Sequence, residues 1–189
     1  MLSKVHTKTE RRFIPHVLLM RGVRHHLELA KVKKDGCYYD WLGAILLSAL
    51  SIEAIGNSYG EVLIARWQDF ESASPIAKLR LVATRCGINP DFEKQPWQTA
   101  RLLIKFRNRI AHAKWKYLKE EKDCSPTGEG PFFNAKLESD LEGMITEKFA
   151  GQSREAVEQI IKALNKTLKA AELHELTFDG HEYYAHGSP

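Results

Sequence analysis

Trp41-Leu-Gly-Ala-Ile-Leu-Leu-Ser-Ala-Leu-Ser-Ile-Glu-Ala-Ile55 is the stretch whose reading decides the fold. Leu42, Ile45, Leu46, Ala49, Leu50, Ile52, Ala54 and Ile55 cover so much of a helical circumference that a helix here must be buried on several sides. A helix surrounded by others is the centre of a helical bundle. The apolar run reaches Glu53 after about a dozen residues, short of the roughly twenty needed to span a bilayer. No membrane association is expected. The helix is predicted over about residues 38–65, with Gly56 and Gly60 marking either a bend or a close helix contact.

Helical periodicity continues outward on both sides. Leu18, Leu19, Val23, Leu27 and Ala30 recur at three and four, which predicts a first helix over 14–33 with Pro15 in its first turn. Ser74-Pro75 is cap-and-proline chemistry for a third helix, stopped by Gly87. A fourth helix is predicted from Pro96 to Lys114. Ser153 is expected to cap a fifth, running to about Leu173 with Ala156, Val157, Ile160, Ile161, Leu164, Leu168 and Ala171 as its stripe. Residues 115–130 read as an exposed loop, 131–150 fit a short helix or an irregular arm, and the tail 174–189 has no periodicity. Nothing reads as a strand. The expectation is an all-α, up-and-down bundle of four to five helices, one domain over 1–189, with a long excursion at 115–150 before the last helix.

Composition agrees with a globular chain: 189 residues, 43% hydrophobic, 28% charged, net charge +4. Dominant disorder is excluded by that balance. Cys37, Cys86 and Cys124 are odd in number and widely spaced, giving neither a disulfide framework nor a zinc pattern. The N-terminus carries no secretory pattern, since Pro15 and His16 interrupt its apolar run. A reducing, cytoplasmic setting is therefore expected. The net charge hides a partition: residues 1–34 and 94–122 each hold nine Lys/Arg against two Glu, whereas 35–93 and 123–189 are acidic. Two basic blocks in a near-neutral chain fit a local anion-attracting surface, and equally fit solvated helix faces.

The second basic block holds the most informative constellation. On the fourth helix, Ala100, Leu103, Ile104, Arg107, Ile110 and Ala111 form one stripe, and one of its members is an arginine. A guanidinium cannot shed its charge, so Arg107 must meet a carboxylate, a wet crevice or an anionic ligand. Asn108 and His112 are four apart and share a face. His112 lies five residues past Arg107, about 7.5 Å along the axis and 140° around it. The two are not simple neighbours.

Arg107-Asn108-Arg109-Ile110-Ala111-His112 resembles the Arg-Asn-x3-His signature of HEPN domains (higher eukaryotes and prokaryotes nucleotide-binding). The helix carrying Ser51-Ile-Glu53-Ala-Ile-Gly-Asn57 is similar to the one that packs against that signature. The resemblance covers about residues 12–172. It implies a four-helix bundle that dimerises with the motif at the subunit interface. In active members it implies metal-independent endoribonuclease activity, commonly in toxin–antitoxin, CRISPR-associated or anti-phage systems. Arg107 and His112 would be the catalytic pair, with Asn108 the polar residue after the arginine. The 115–150 excursion is longer than a minimal bundle needs, and any antitoxin or defence partner must be a separate chain.

The residue chemistry fits that activity. Attack by a 2′-OH needs a proton acceptor, a proton donor and positive charge near the phosphorus. Histidine serves either proton role near neutrality. One chain supplies one such histidine, so a homodimer through this helix would pair two His112 residues. No metal or other cofactor is required. Glu53 is placed to orient Arg107 or His112, or else to pair elsewhere, with Asn57 beside it as a supporting residue. Lys105, Arg109, Lys114 and Lys116 suit sequence-independent phosphate contacts, and Trp115 and Tyr117 suit base stacking or simple packing. The alternatives are a non-catalytic HEPN-like module that binds RNA or nucleotide or acts as an interaction subunit, and a plain helical adaptor. His181-Glu-Tyr-Tyr-Ala-His186 fails as a zinc protease box, because its second histidine falls at i+5. His25-His26 reads as a solvated pair, and Cys86 as small apolar packing.

Overall fold

A computed structural model describes residues 13–119 and 137–171. Five helices account for most of them, and no strand occurs among the described residues. They are α1 (Pro15–Val32), α2 (Cys37–Leu63), α3 (Pro75–Arg85), α4 (Trp97–Ala111) and α5 (Glu147–Ala170). Short 3₁₀ turns at Trp67–Phe70 and Glu142–Met144 join them. The fold is all-α, as the periodicity predicts.

The apolar stretch around Ile45 sits where its composition requires. α2 touches α1, α3, α4 and α5, and Ala44, Ile45, Ala49, Ile52, Ile55 and Tyr59 are wholly buried. Unlike the run that stops at Glu53, the helix continues for 27 residues, long and apolar enough to cross a membrane by length and composition alone. Its packing partners on four helices give it the place of a core helix instead. Gly56 and Gly60 mark close contacts rather than a bend. A Cβ on Gly60 would stand 2.4 Å from the Trp67 indole, and one on Gly56 would stand 3.0 Å from Cβ of Lys78 on α3.

Helix ends follow local chemistry. Ser74 Oγ accepts from the Ala77 amide to open α3, and Gly87, at φ 73°, closes it. α5 corrects the expected start: Thr146 is the cap, accepting from Phe149 N, so the helix begins two turns before Ser153. Ser153 lies inside it, and its hydroxyl donates back to the Phe149 carbonyl at 2.6 Å. Thr146 won because it stands just outside the buried stripe, whereas Ser153 is part of that stripe. Across the core, Tyr59 donates to Asn165 Oδ1 at 2.6 Å, tying α2 to α5.

The start of α2 carries a charge cluster. Buried Asp40 accepts from Lys33 Nζ at 2.5 Å and meets His26 Nδ1 at 3.2 Å. His26 is thus half-buried against a carboxylate rather than solvated, while His25 is exposed. The Lys33 ammonium, and then the His26 ring, hold the Asp40 carboxyl below its usual range. Cys86 is buried, and burial pushes its thiol pKa up, consistent with apolar packing.

Candidate functional site

α4 is anchored at its start. Trp97 packs edge-on to Phe92, Thr99 Oγ1 donates to Gln95 at 2.8 Å, and Arg101 forks onto the Glu93 carboxylate. From there Ala100, Leu103, Ile104 and Phe106 enter the core, Phe106 against Phe149 of α5. Phe106 belongs to this face although the Ala100–Ala111 stripe omits it. The bundle opens toward the C-terminal end of α4, so Ile110 is half-buried and Ala111 is exposed. The helix stops at Ala111 with His112 as its C-cap, not at Lys114.

Arg107 falls where the core gives way to solvent. Its side chain is 27% exposed, and Nη2 donates to Glu53 Oε2 at 2.9 Å. A carboxylate, one of the three partners the register allowed, is in place. Glu53, on the middle of α2, therefore orients Arg107 and not His112. Arg107 Nε is buried without a partner, so the guanidinium is bound through one edge only. Asn57 does not join them. One helical turn beyond Glu53, it accepts from Lys78 Nζ at 3.0 Å, facing α3. Lys78 is itself buried, a residue the sequence reading passed over; its signal was a lysine among Ile76, Leu79 and Val82.

His112 occupies a different place. Its amide donates to the Asn108 carbonyl at 3.0 Å, and its exposed ring lines an open groove of about 660 Å³. Asn108, Arg109, Lys114 and Lys116 line the same groove, as do Leu118, Ser139, Leu141 and Glu142. The far wall is the segment left open between helix and arm: an irregular run from 137, then the 3₁₀ turn. Ser139 and Glu142 hold it by reciprocal bonds, Ser139 N to Glu142 Oε2 at 2.8 Å and Glu142 N to Ser139 Oγ at 3.2 Å. Arg109 reaches across to Met144 Sδ at 3.8 Å. Lys105 is exposed on the same outer side of α4, short of the groove.

The structure therefore gathers Asn108, Arg109, His112, Lys114 and Lys116, and separates Arg107 with Glu53 on the other side of α4. The 140° between positions 107 and 112 is kept, because the helix is regular up to Ala111. Four cationic or titratable side chains around one groove, against one carboxylate already bonded to a backbone amide, make a surface that attracts anions. Among the described residues no three His, Cys, Asp or Glu side chains gather as a metal site requires, and the His181–His186 segment lies outside those residues. Compared with known proteins, the chain matches no family model, no curated protein and no solved structure.

Proposed function

We propose that this chain is a HEPN-type, metal-independent endoribonuclease that works as a cytoplasmic homodimer, controlled by a separate antitoxin or defence protein. One observation carries the reading: α4 ends in a groove where the His112 imidazole stands among Arg109, Lys114, Lys116 and the Asn108 amide. In the proposed reaction the RNA 2′-oxygen forms a bond to the adjacent phosphorus, and the bond from phosphorus to the 5′-oxygen breaks. One His112 takes the 2′-OH proton as base, and a second, from the other subunit, protonates the departing 5′-oxygen. A twofold contact at the α4 ends would also bring Arg107 of one subunit toward His112 of the other. There the exposed part of its side chain would face the non-bridging phosphate oxygens. Glu53 acts as a positioning residue that holds the guanidinium through Nη2.

The test is RNA cleavage in excess EDTA by wild type, Arg107→Ala and His112→Ala, with folding checked by circular dichroism and mass by sedimentation. Cleavage by a dimeric wild type, lost in both folded variants, supports the proposal. A monomeric wild type that cleaves fully would overturn the shared-site mechanism. The Arg107–Glu53 pair itself favours a second reading, a non-catalytic module that binds RNA or nucleotide. Its signature is RNA retention without turnover, weakened by Lys114→Ala and Lys116→Ala but not by Arg107→Ala.

A further inference from the structure

The segment that follows α4 alternates in chemistry and in direction. Lys114, Lys116 and Leu118 line the His112 groove, whereas Trp115 and Tyr117 do not. Those two aromatics are 85% and 81% exposed, so the packing role open to them in the sequence is not the one they take. The contrast within the chain is sharp: Trp67 and Trp97 are buried, and Trp41 is half-buried. The rings of Trp115 and Tyr117 meet edge to face with centroids 5.6 Å apart, which restrains both and leaves a broad π-face open.

From this we infer that Lys114–Tyr117 is a clamp for single-stranded RNA, in which Trp115 and Tyr117 stack unpaired bases and Lys114, Lys116 and Arg109 hold the flanking phosphates. This deepens the RNA reading above and rests on it. Charge decides the occupant: Lys114 and Lys116 alternate with the two rings along the segment, and in the groove they line with Arg109 the Glu142 carboxylate is bonded to the Ser139 amide. Base pairing decides the strandedness. A duplex keeps its bases stacked on each other, so only splayed bases reach an aromatic face.

The probe is a fluorescein-labelled 2′-O-methyl decamer, which lacks the nucleophilic 2′-OH, used alone and annealed to its complement. Full-length Trp115→Ala should bind the single strand roughly fivefold or more weakly than wild type, the smaller end of what a lost base stack costs. Its duplex affinity should stay within about twofold, and Trp115→Phe should recover most of the single-strand affinity. Indole fluorescence should quench on binding in wild type and much less in Trp115→Ala. Equal losses on both probes, unchanged single-strand binding, or no binding by wild type each overturn the clamp. So does a change in oligomeric mass without a change in affinity, which would make the platform a protein contact. Cleavage in EDTA reads the nuclease proposal separately: cleavage that persists while Trp115→Ala binds normally removes the clamp alone.

Discussion

Removing the Arg107–Glu53 pair one side at a time gives the sharpest test of how the site is built. The bond is single, 2.9 Å long, between side chains 27% and 36% exposed. In a fully dry interior such a pair would be worth many kcal/mol and cost nearly as much to desolvate. With a third of each side chain in water, screening leaves a coupling of about 1 kcal/mol, the upper part of the range for exposed pairs. Arg107→Ala should cost more than this coupling, because its stem also covers apolar surface beside the core. Glu53→Ala should cost about 1–2 kcal/mol, since it strands a guanidinium whose Nε is already buried without a partner. The measurement is a double-mutant cycle by urea unfolding, read from far-ultraviolet circular dichroism, on wild type, both single variants and the double. A coupling below about 0.3 kcal/mol would mean that Glu53 does not hold Arg107 in solution. One above about 3 kcal/mol would mean that the pair is far drier than the geometry shows, and would refute the exposure argument just as firmly.

Two further outcomes follow from the packing. Phe106→Ala, which empties a fully buried site against Phe149, should cost about 3–5 kcal/mol in the same assay, and a loss under 1 would show that α4 is not seated on α5 as described. Asp40 has a folded pKa held below its ordinary 3.8 by Lys33 and His26, so its contribution is present above that value and is lost as pH falls through the folded pKa. The stability gap between wild type and Asp40→Asn should therefore be widest above pH 4 and close as acid is added; a gap that widens toward low pH would reverse the assignment.

Much of the fold was legible before any coordinates. Its strongest signals were repeated ones: the all-round apolarity of α2, the three-and-four spacing of α5 and the Ser74-Pro75 start of α3 are each set by many residues or by a local hydrogen bond. On α1 the helix forms as expected, but its buried face is His16, Met20, Val23 and Leu27, with Leu18 turned to solvent. Helix ends that depend on a single competing residue were read less well. Thr146 displaced Ser153 as a cap, and the start of α5 thereby absorbed part of the arm predicted over 131–150. The candidate site divides in the same way. Arg107 inside an apolar stripe was visible as an anomaly, and so was its need for a counter-charge. That Glu53 rather than solvent answers it depends on how α2 lies beside α4.

The sequence by itself determined that the chain forms helices, that the helix through Ile52 is central, and that positions 107 and 112 diverge by 140° around α4. These follow from side-chain periodicity and backbone geometry, which act over a few residues. Only the tertiary structure decided that Glu53 turns to Arg107 while Asn57 turns to Lys78, that the arm at 139–142 walls a groove around His112, and that Trp115 and Tyr117 stand in water. Those outcomes depend on which helix faces meet across tens of residues, a relation that no local spacing encodes.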